Sequence, residues 1–371
     1  MIEMANFKLP EFLPPDFDGP PFSTAIPVRF KEVEVDGVAP EGYHATSIYP
    51  EFFQVSKGKW VLPKQARMDC VAVLETDGSI GVREFRLLRR GDRVACGRHE
   101  NGEDGIFVHT NAFGWEYPVS EKFAFRTGIS RETSFSYDYD ELYNLLEYER
   151  ENGFLLWVLG PAVVFDRDSR NSLAEIIDGG FAHGVLAGNA LATHDIEAAL
   201  FGTALGQDIY TKRHARLSHY KHLDAINTIR RIGSIKAAVE EGIIKDGIMA
   251  SVVKRRIPFV LAGSIRDDGP MPEVVANSYE AQDRMRALSR KATTVIAMAT
   301  QLHSIAVGNM TPSYTVTDQG TVRPVYFFTI DMSEFAANKL ADRGSLTARS
   351  ILTNTQDFVV NLHRKLIRRS C

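Results

Sequence analysis

A histidine, a pair of acids, an arginine and several amides stand in this chain just past short apolar runs, and that placement gives them chemical meaning. Three stretches carry them: Leu186-Ala-Gly-Asn-Ala-Leu-Ala-Thr-His-Asp195, Leu261-Ala-Gly-Ser-Ile-Arg-Asp-Asp-Gly-Pro270 and Ala299-Thr-Gln-Leu-His-Ser-Ile-Ala-Val-Gly-Asn-Met310. Each passes from an apolar run through small residues into a helical pattern. In a parallel α/β sheet the space beyond the carboxyl ends of the strands receives the ligand. Small residues there let a ligand approach the backbone, and helix N-termini offer N–H groups to phosphates. A nucleotide or another anionic ligand fits such loops. Asp331 closes the apolar run Val325-Tyr-Phe-Phe-Thr-Ile. A carboxylate there accepts the hydroxyls of an adenosine ribose and repels a 2′-phosphate, favouring NAD over NADP, or else it caps a helix beginning near Ser333.

The other candidates also have two readings. Asn189 and Ala190 form a turn that holds a phosphate or carboxamide, or that only needs a residue tolerant of positive φ. Arg266, Asp267 and Asp268 supply a cation for a substrate carboxylate and anions for an amine or a ribose, or they pair with one another in a solvated turn. His303 titrates near neutrality and can move protons in imine chemistry, or it is a packed core histidine. Asp195 reads as a helix N-cap rather than a catalyst. His219-Tyr-Lys-His222 has two imidazoles but no carboxylate or cysteine to complete a metal set, so no metal is expected. No Gly-x-Gly-x-x-Gly follows a strand, and neither a Walker A loop nor a Gly-x-Ser-x-Gly elbow occurs.

Composition narrows the class. With 371 residues, 44% hydrophobic and 24% charged, the chain can build two domains of ordinary soluble character. A formal charge of −4 gives no reason to expect nucleic acid, and the basic end Arg364–Arg369 reads as a complement to a helix dipole. Cys70, Cys96 and Cys371 have no metal-like spacing, and three cysteines build no disulfide framework. No apolar stretch approaches the roughly 20 residues that a membrane-spanning helix needs. The N-terminus lacks the basic start and apolar core of a signal peptide. A cytoplasmic protein is expected.

The elements that must position these residues are legible from pattern. Residues 1–27 form a proline-rich arm that wraps the body or a partner subunit, which points to a homo-oligomer. Residues 28–137 read as a β-rich substrate or cap domain, with Lys31–Val35 alternating, Cys70–Leu74 and Ile80–Phe85 joined by a turn at Thr76-Asp-Gly-Ser79, and Arg90–Cys96 as a further strand. From residue 138 to 371, buried strands are expected at Phe154–Leu159, Gly184–Ala187, Pro258–Ala262, Thr294–Met298, Val325–Ile330 and Arg349–Leu352. Helical patterns lie between them, the longest running from Leu223 to Val239 with Gly242 as its stop. Apolar, non-alternating strands separated by helices mean a parallel sheet covered on both faces.

The same loops carry a resemblance. Gly160-Pro-Ala-Val, Leu186–Asp195, Leu200-Phe-Gly-Thr203, His222-Leu-x-Ala-Ile-Asn227, Gly233-Ser-Ile235, Val260–Pro270 and Leu302–Met310 are similar to the archaeal-type, NAD-dependent ornithine cyclodeaminases. Tyr43-His-Ala-Thr46, Gly58-Lys-Trp60 and Arg67-Met-Asp69 resemble the conserved region of lysine-ketoglutarate reductase/saccharopine dehydrogenase proteins. The resemblance implies a Rossmann-like domain of the deoxyhypusine-synthase type after the β-rich domain. It also implies NAD held through Asn189, Ala190, Asp268, Thr300, Leu302, His303, Asp331 and Asn354. Asn354 stands where aspartate is expected, and Ser218 where glycine is. The implied reaction converts L-ornithine to L-proline and ammonia, with NAD taking the Cα hydride and returning it to the cyclic imine. Lys59, Arg67, Asp267 and His303 are the candidates for binding the substrate and moving its protons. An ordinary NAD-dependent amino-acid or opine-type dehydrogenase acting on a related basic amino acid is the alternative.

Overall fold

The structure, a computed structural model, describes residues 7–114, 135–214, 216–332 and 346–367. Its larger part runs α1 (Phe135–Asn152), β1 (Leu155–Leu159), α2 (Arg167–Asp178), β2 (Gly184–Gly188), α3 (Asn189–Phe201), α4 (Ser218–Ile232), α5 (Ile235–Glu240), α6 (Ile248–Lys254), β3 (Phe259–Ala262) and β4 (Val274–Val275). It continues through α7 (Ser278–Ser289), β5 (Thr294–Met298), α8 (Gln301–Met310), β6 (Tyr326–Asp331), β7 (Thr347–Leu352) and α9 (Thr355–Leu366). The seven strands make one parallel sheet in the order β4-β3-β2-β1-β5-β6-β7. All six expected strands are present, with ends displaced by two residues or fewer.

Alternate residues of β1 show why these strands are apolar throughout. Leu155, Trp157 and Leu159 enter a core shared with α1, α2, α3 and α9, whereas Leu156 and Val158 enter a second core under α7 and α8. A strand buried on both faces leaves no position for a solvated side chain. The expected long helix from Leu223 to Val239 is instead two helices. Gly233, at φ +103°, ends α4, and Ser234 Oγ accepts from Ala237 N at 2.9 Å to start α5. The apolar spacing continues in phase across the break, which is why periodicity alone missed it.

Asp195 does cap a helix, but not its own. It is fully buried within α3, where it accepts from Ile248 N at 3.1 Å and Met249 N at 2.8 Å, the open start of α6, and from Arg170 Nε at 2.6 Å. Removing one partner of such a buried pair costs about 3–5 kcal/mol.

The N-terminal part is β-rich as expected. Arg29–Glu32, Arg93–Cys96, Val71–Leu74 and Ile80–Arg83 form one antiparallel sheet, and Lys59–Val61, Glu51–Ser56 and Ile106–Val108 another. The alternation at Lys31–Val35 overshoots, because pairing stops at Glu32 and leaves Val35 exposed before the turn at Gly37. The described part of the arm packs on both parts of its own chain, with Phe7 against Tyr148 and Tyr326 of the larger part. Phe17 stacks on Trp60 with centroids 4.8 Å apart, and Leu13 N donates to Ala112 O at 2.8 Å. A hairpin between α8 and β6 (Tyr314–Val316 and Val322–Pro324) pairs with Gln65–Ala66 and so stitches the two parts together. Among the described residues no helix is long and apolar enough to cross a membrane.

Candidate active site

From β1 the chain builds the sheet outward through β2, β3 and β4, and from β5 outward through β6 and β7. The order therefore reverses between β1 and β5, which is where a parallel sheet of this kind has its ligand crevice, beyond the carboxyl ends of the strands. The loops that leave these strands touch. Gly160 N donates to Met298 O at 2.8 Å, and a Cβ on Gly160 would collide with the carbonyl oxygen of Ala299. Ala299 itself is held at φ +54°, a left-handed conformation that costs a non-glycine residue roughly 1–2 kcal/mol. Such cost is stored where the surrounding structure fixes the backbone for a purpose.

Two helices point their N-termini into this space, and neither is capped by its own side chains. Gly188 precedes α3 and Thr300 precedes α8, and neither residue provides a side-chain cap to the first turn that follows it. By contrast Asp166, Ser234, Asn277 and Asn354 cap α2, α5, α7 and α9. The start of α4 is also uncapped, but it lies beside Gly206 in the hairpin that follows α3. Each free N-terminus presents about half a positive charge and several unused N–H groups. Two together fit a pyrophosphate.

His303 lies in the first turn of α8 and overhangs the end of β2. Its Cε1 would be 3.0 Å from a Cβ on Gly188, so a larger residue there would press on the ring. Burial pushes the imidazole below its ordinary range, and the Asp267 carboxylate opposes that shift. The ring is therefore neutral at neutral pH and able to accept a proton. Asp267 is half-buried and its Oδ2 accepts from Ser264 N at 2.8 Å, closing the turn after β3; Arg266 and Asp268 beside it are exposed. Asn189 Oδ1 accepts from Met271 N at 3.1 Å and fastens that loop to the head of α3.

Of the remaining expected residues, Ala190 and Leu302 are exposed at the mouths of α3 and α8, and Thr300 is half-buried between β5 and α8. Asp331 ends β6, and its carbonyl accepts from Thr353 N at 3.3 Å, next to Asn354. Asn354 Oδ1 accepts from Gln356 N at 2.8 Å and so serves as the cap of α9. The helix expected near Ser333 lies outside the described residues.

Two expected site residues do not join this crevice. Arg67 donates to Glu84 at 2.7 Å and to the carbonyl of Asn309, at the last turn of α8. With ten residues, α8 is about 15 Å long, so Arg67 grips the end opposite His303. Lys59 is exposed on an edge strand of the N-terminal domain. One residue was missed. Arg230, in the last turn of α4, donates from Nη1 to Pro270 O at 3.0 Å. In sequence it reads, with Arg231, as an ordinary basic helix end. The thiol of Cys70 is pushed up to about 11 by burial, which leaves it a poor nucleophile.

Comparison with known proteins fits this geometry. Residues 142–362 match the family model described as the arginine dihydrolase ArgZ-like, C-terminal, Rossmann fold. The ornithine cyclodeaminase of Methanopyrus kandleri is 38% identical over 359 residues, 93% of this chain and 81% of that protein. The bifunctional arginine dihydrolase/ornithine cyclodeaminase ArgZ of Synechocystis is 34% identical over 350 residues, covering 94% of this chain and 48% of that one. Among solved structures, a conserved LOR/SDH protein from Methanococcus maripaludis superposes with a TM-score of 0.79 at 33% identity, covering 93% of this chain and 98% of that one. A ternary complex of AgrE with ornithine and NAD+ gives a TM-score of 0.58 at 30% identity, covering 93% of this chain and 46% of that one.

Proposed function

This chain belongs to the ornithine cyclodeaminase family, which takes in the C-terminal region of ArgZ-like arginine dihydrolases, and we propose from that premise that it converts L-ornithine to L-proline and ammonia. Its cofactor is NAD. The observation that carries the reading is the juxtaposition of two uncapped helix N-termini with a neutral, half-buried histidine at the strand switch point. The residues present fit the cofactor. The starts of α3 and α8 suit its pyrophosphate, Asp331 its adenosine ribose, and Asn189, Ala190, Asp268, Thr300 and Leu302 the contacts around them, with Asn354 at the rim.

When bound, NAD supplies a reversible hydride acceptor at the substrate Cα. The chain must then hold the substrate, take a proton and exclude water. The ring forms when the δ-amine, freed of its proton, attacks Cα; the Cα–Nα bond breaks and ammonia leaves, with no net oxidation. In this reading His303 accepts the δ-ammonium proton, and the Asp267 carboxylate opposes the lowering of the ring's basicity by burial. Asp268 supplies a carboxylate for the substrate amine or a ribose. The β-rich domain, through Arg67, steadies α8 in this reading instead of touching substrate.

The test uses purified protein without added cofactor. Bound nucleotide is identified by mass spectrometry, L-ornithine is added, and proline, ammonia and NADH are followed. Proline and ammonia in equal amounts, with no accumulating NADH, are expected. Stoichiometric NADH without proline would mean an amino-acid dehydrogenase instead, and no nucleotide with no gain from added NAD would overturn both.

A further inference from the structure

An amino-acid substrate brings a carboxylate, and a site that orients its Cα must offer that group a cation. Arg266 stands exposed between Ile265, which is fully exposed, and two acids that offset its charge. Arg230 is exposed as well, but it is anchored. It reaches from α4 to a loop 40 residues later, and Nη1 donates to Pro270 O at 3.0 Å. The next residue of that loop, Met271, donates its N–H to Asn189 Oδ1 at the head of α3. The guanidinium is thus fixed one residue from a contact inside the crevice. Gly269, at φ +94°, lies below it, and even a Cβ there would come within 3.8 Å of Nη1.

Among the described residues the contact of the Arg230 guanidinium is the Pro270 carbonyl, and no carboxylate pairs with it. A guanidinium has five N–H donors in a planar fork, and one bond to a carbonyl leaves a face for a bidentate carboxylate. Complementing the dipole of α4 is the plain alternative. Arg231 already does that from the same turn, and a dipole requires no anchor on Pro270. We propose that Arg230 is the receptor for the substrate α-carboxylate, placing Cα between the heads of α3 and α8 with the amines toward Asp267, Asp268 and His303. This assignment rests on the cyclodeaminase reading and specifies how its substrate is recognised.

The experiment is a ligand-and-residue cycle on the protein loaded with NADH, which accepts no hydride from Cα and so holds ornithine without turnover. Binding of L-ornithine and of ornithinamide, which lacks the negative charge, is measured by calorimetry for the wild type, Arg230→Lys and Arg230→Met. Loss of a charge-assisted contact predicts roughly 30-fold weaker ornithine binding in Arg230→Met, with Arg230→Lys between the two. The ornithinamide-to-ornithine ratio of dissociation constants falls toward one in Arg230→Met. NAD content and melting temperature stay as in the wild type. An unchanged ratio, or equal loss for both ligands, would overturn the assignment and make Arg230 a loop anchor. Loss of NAD would make it a cofactor ligand instead. If the wild type itself takes up no ornithine, the cyclodeaminase reading fails first, and the assignment falls with it.

Discussion

Gly160 and Ala299 meet backbone to backbone at the strand switch point, with no space for even a methyl group between them. The contact holds the ends of β1 and β5 together and leaves Ala299 in a left-handed conformation directly before α8. Gly160→Ala should force these loops apart. Overpacking of this kind costs about 1–3 kcal/mol, and here backbone rather than a flexible side chain must move. A lower melting temperature and loss of copurifying NAD are expected together. A variant that melts lower but keeps its NAD would show that the contact serves stability alone.

Arg67 and Glu84 hold the far end of α8. Arg67 is bonded to Glu84 at 2.7 Å and to the Asn309 carbonyl, while Arg286 of α7 reaches the same Glu84 oxygen at 2.7 Å. Both partners are mostly buried, so Arg67→Ala should cost about 3 kcal/mol through the charge it leaves less compensated. Denaturant unfolding should register that loss, with the KM for ornithine unchanged. A large rise in KM at unaltered stability would return Arg67 to the substrate.

How much of this was legible in the sequence follows from where the information lies. The six buried strands were readable because a strand covered on both faces must be apolar throughout, as Leu155–Leu159 is. Asn189, Asp267, His303 and Asp331 stand out as candidates because each lies at or just past the end of such a strand, and strand ends in a parallel sheet are where ligands go. Three-dimensional partners were not readable. Asp195 caps a helix that begins 53 residues later, Arg67 stands out in sequence by charge alone, and nothing local marks Arg230, because their carbonyl partners, Asn309 and Pro270, are distant in the chain. The break at Gly233 was hidden because two helices kept one apolar phase.

His303 and Asp267 set an acid limit. Burial holds the imidazole below its ordinary 6.5, so the fold favours the neutral ring. Its contribution to stability is complete above that ordinary value and is lost as pH falls through the lower folded value. Asp267 is the charge that opposes the shift, so Asp267→Asn should move the His303 titration further down. The imidazole proton resonance followed against pH by NMR tests this without requiring activity. A titration that rises, or does not move, would separate the two residues electrostatically.

Asp331 should decide between the two nicotinamide dinucleotides. It ends β6 beside the loop that carries Asn354, where a carboxylate accepts ribose hydroxyls and repels a 2′-phosphate. Asp331→Ser removes both effects. A hydrogen bond to a charged group contributes about 1.5–3 kcal/mol, so NAD should bind at least roughly tenfold more weakly. NADP should bind more tightly than in the wild type, because the repulsion is gone while the starts of α3 and α8 still receive the pyrophosphate. Dissociation constants for both dinucleotides, measured on protein stripped of its cofactor, carry the test. A parallel loss of both affinities would mean that Asp331 shapes the loop between β7 and α9, and that the ribose is held elsewhere.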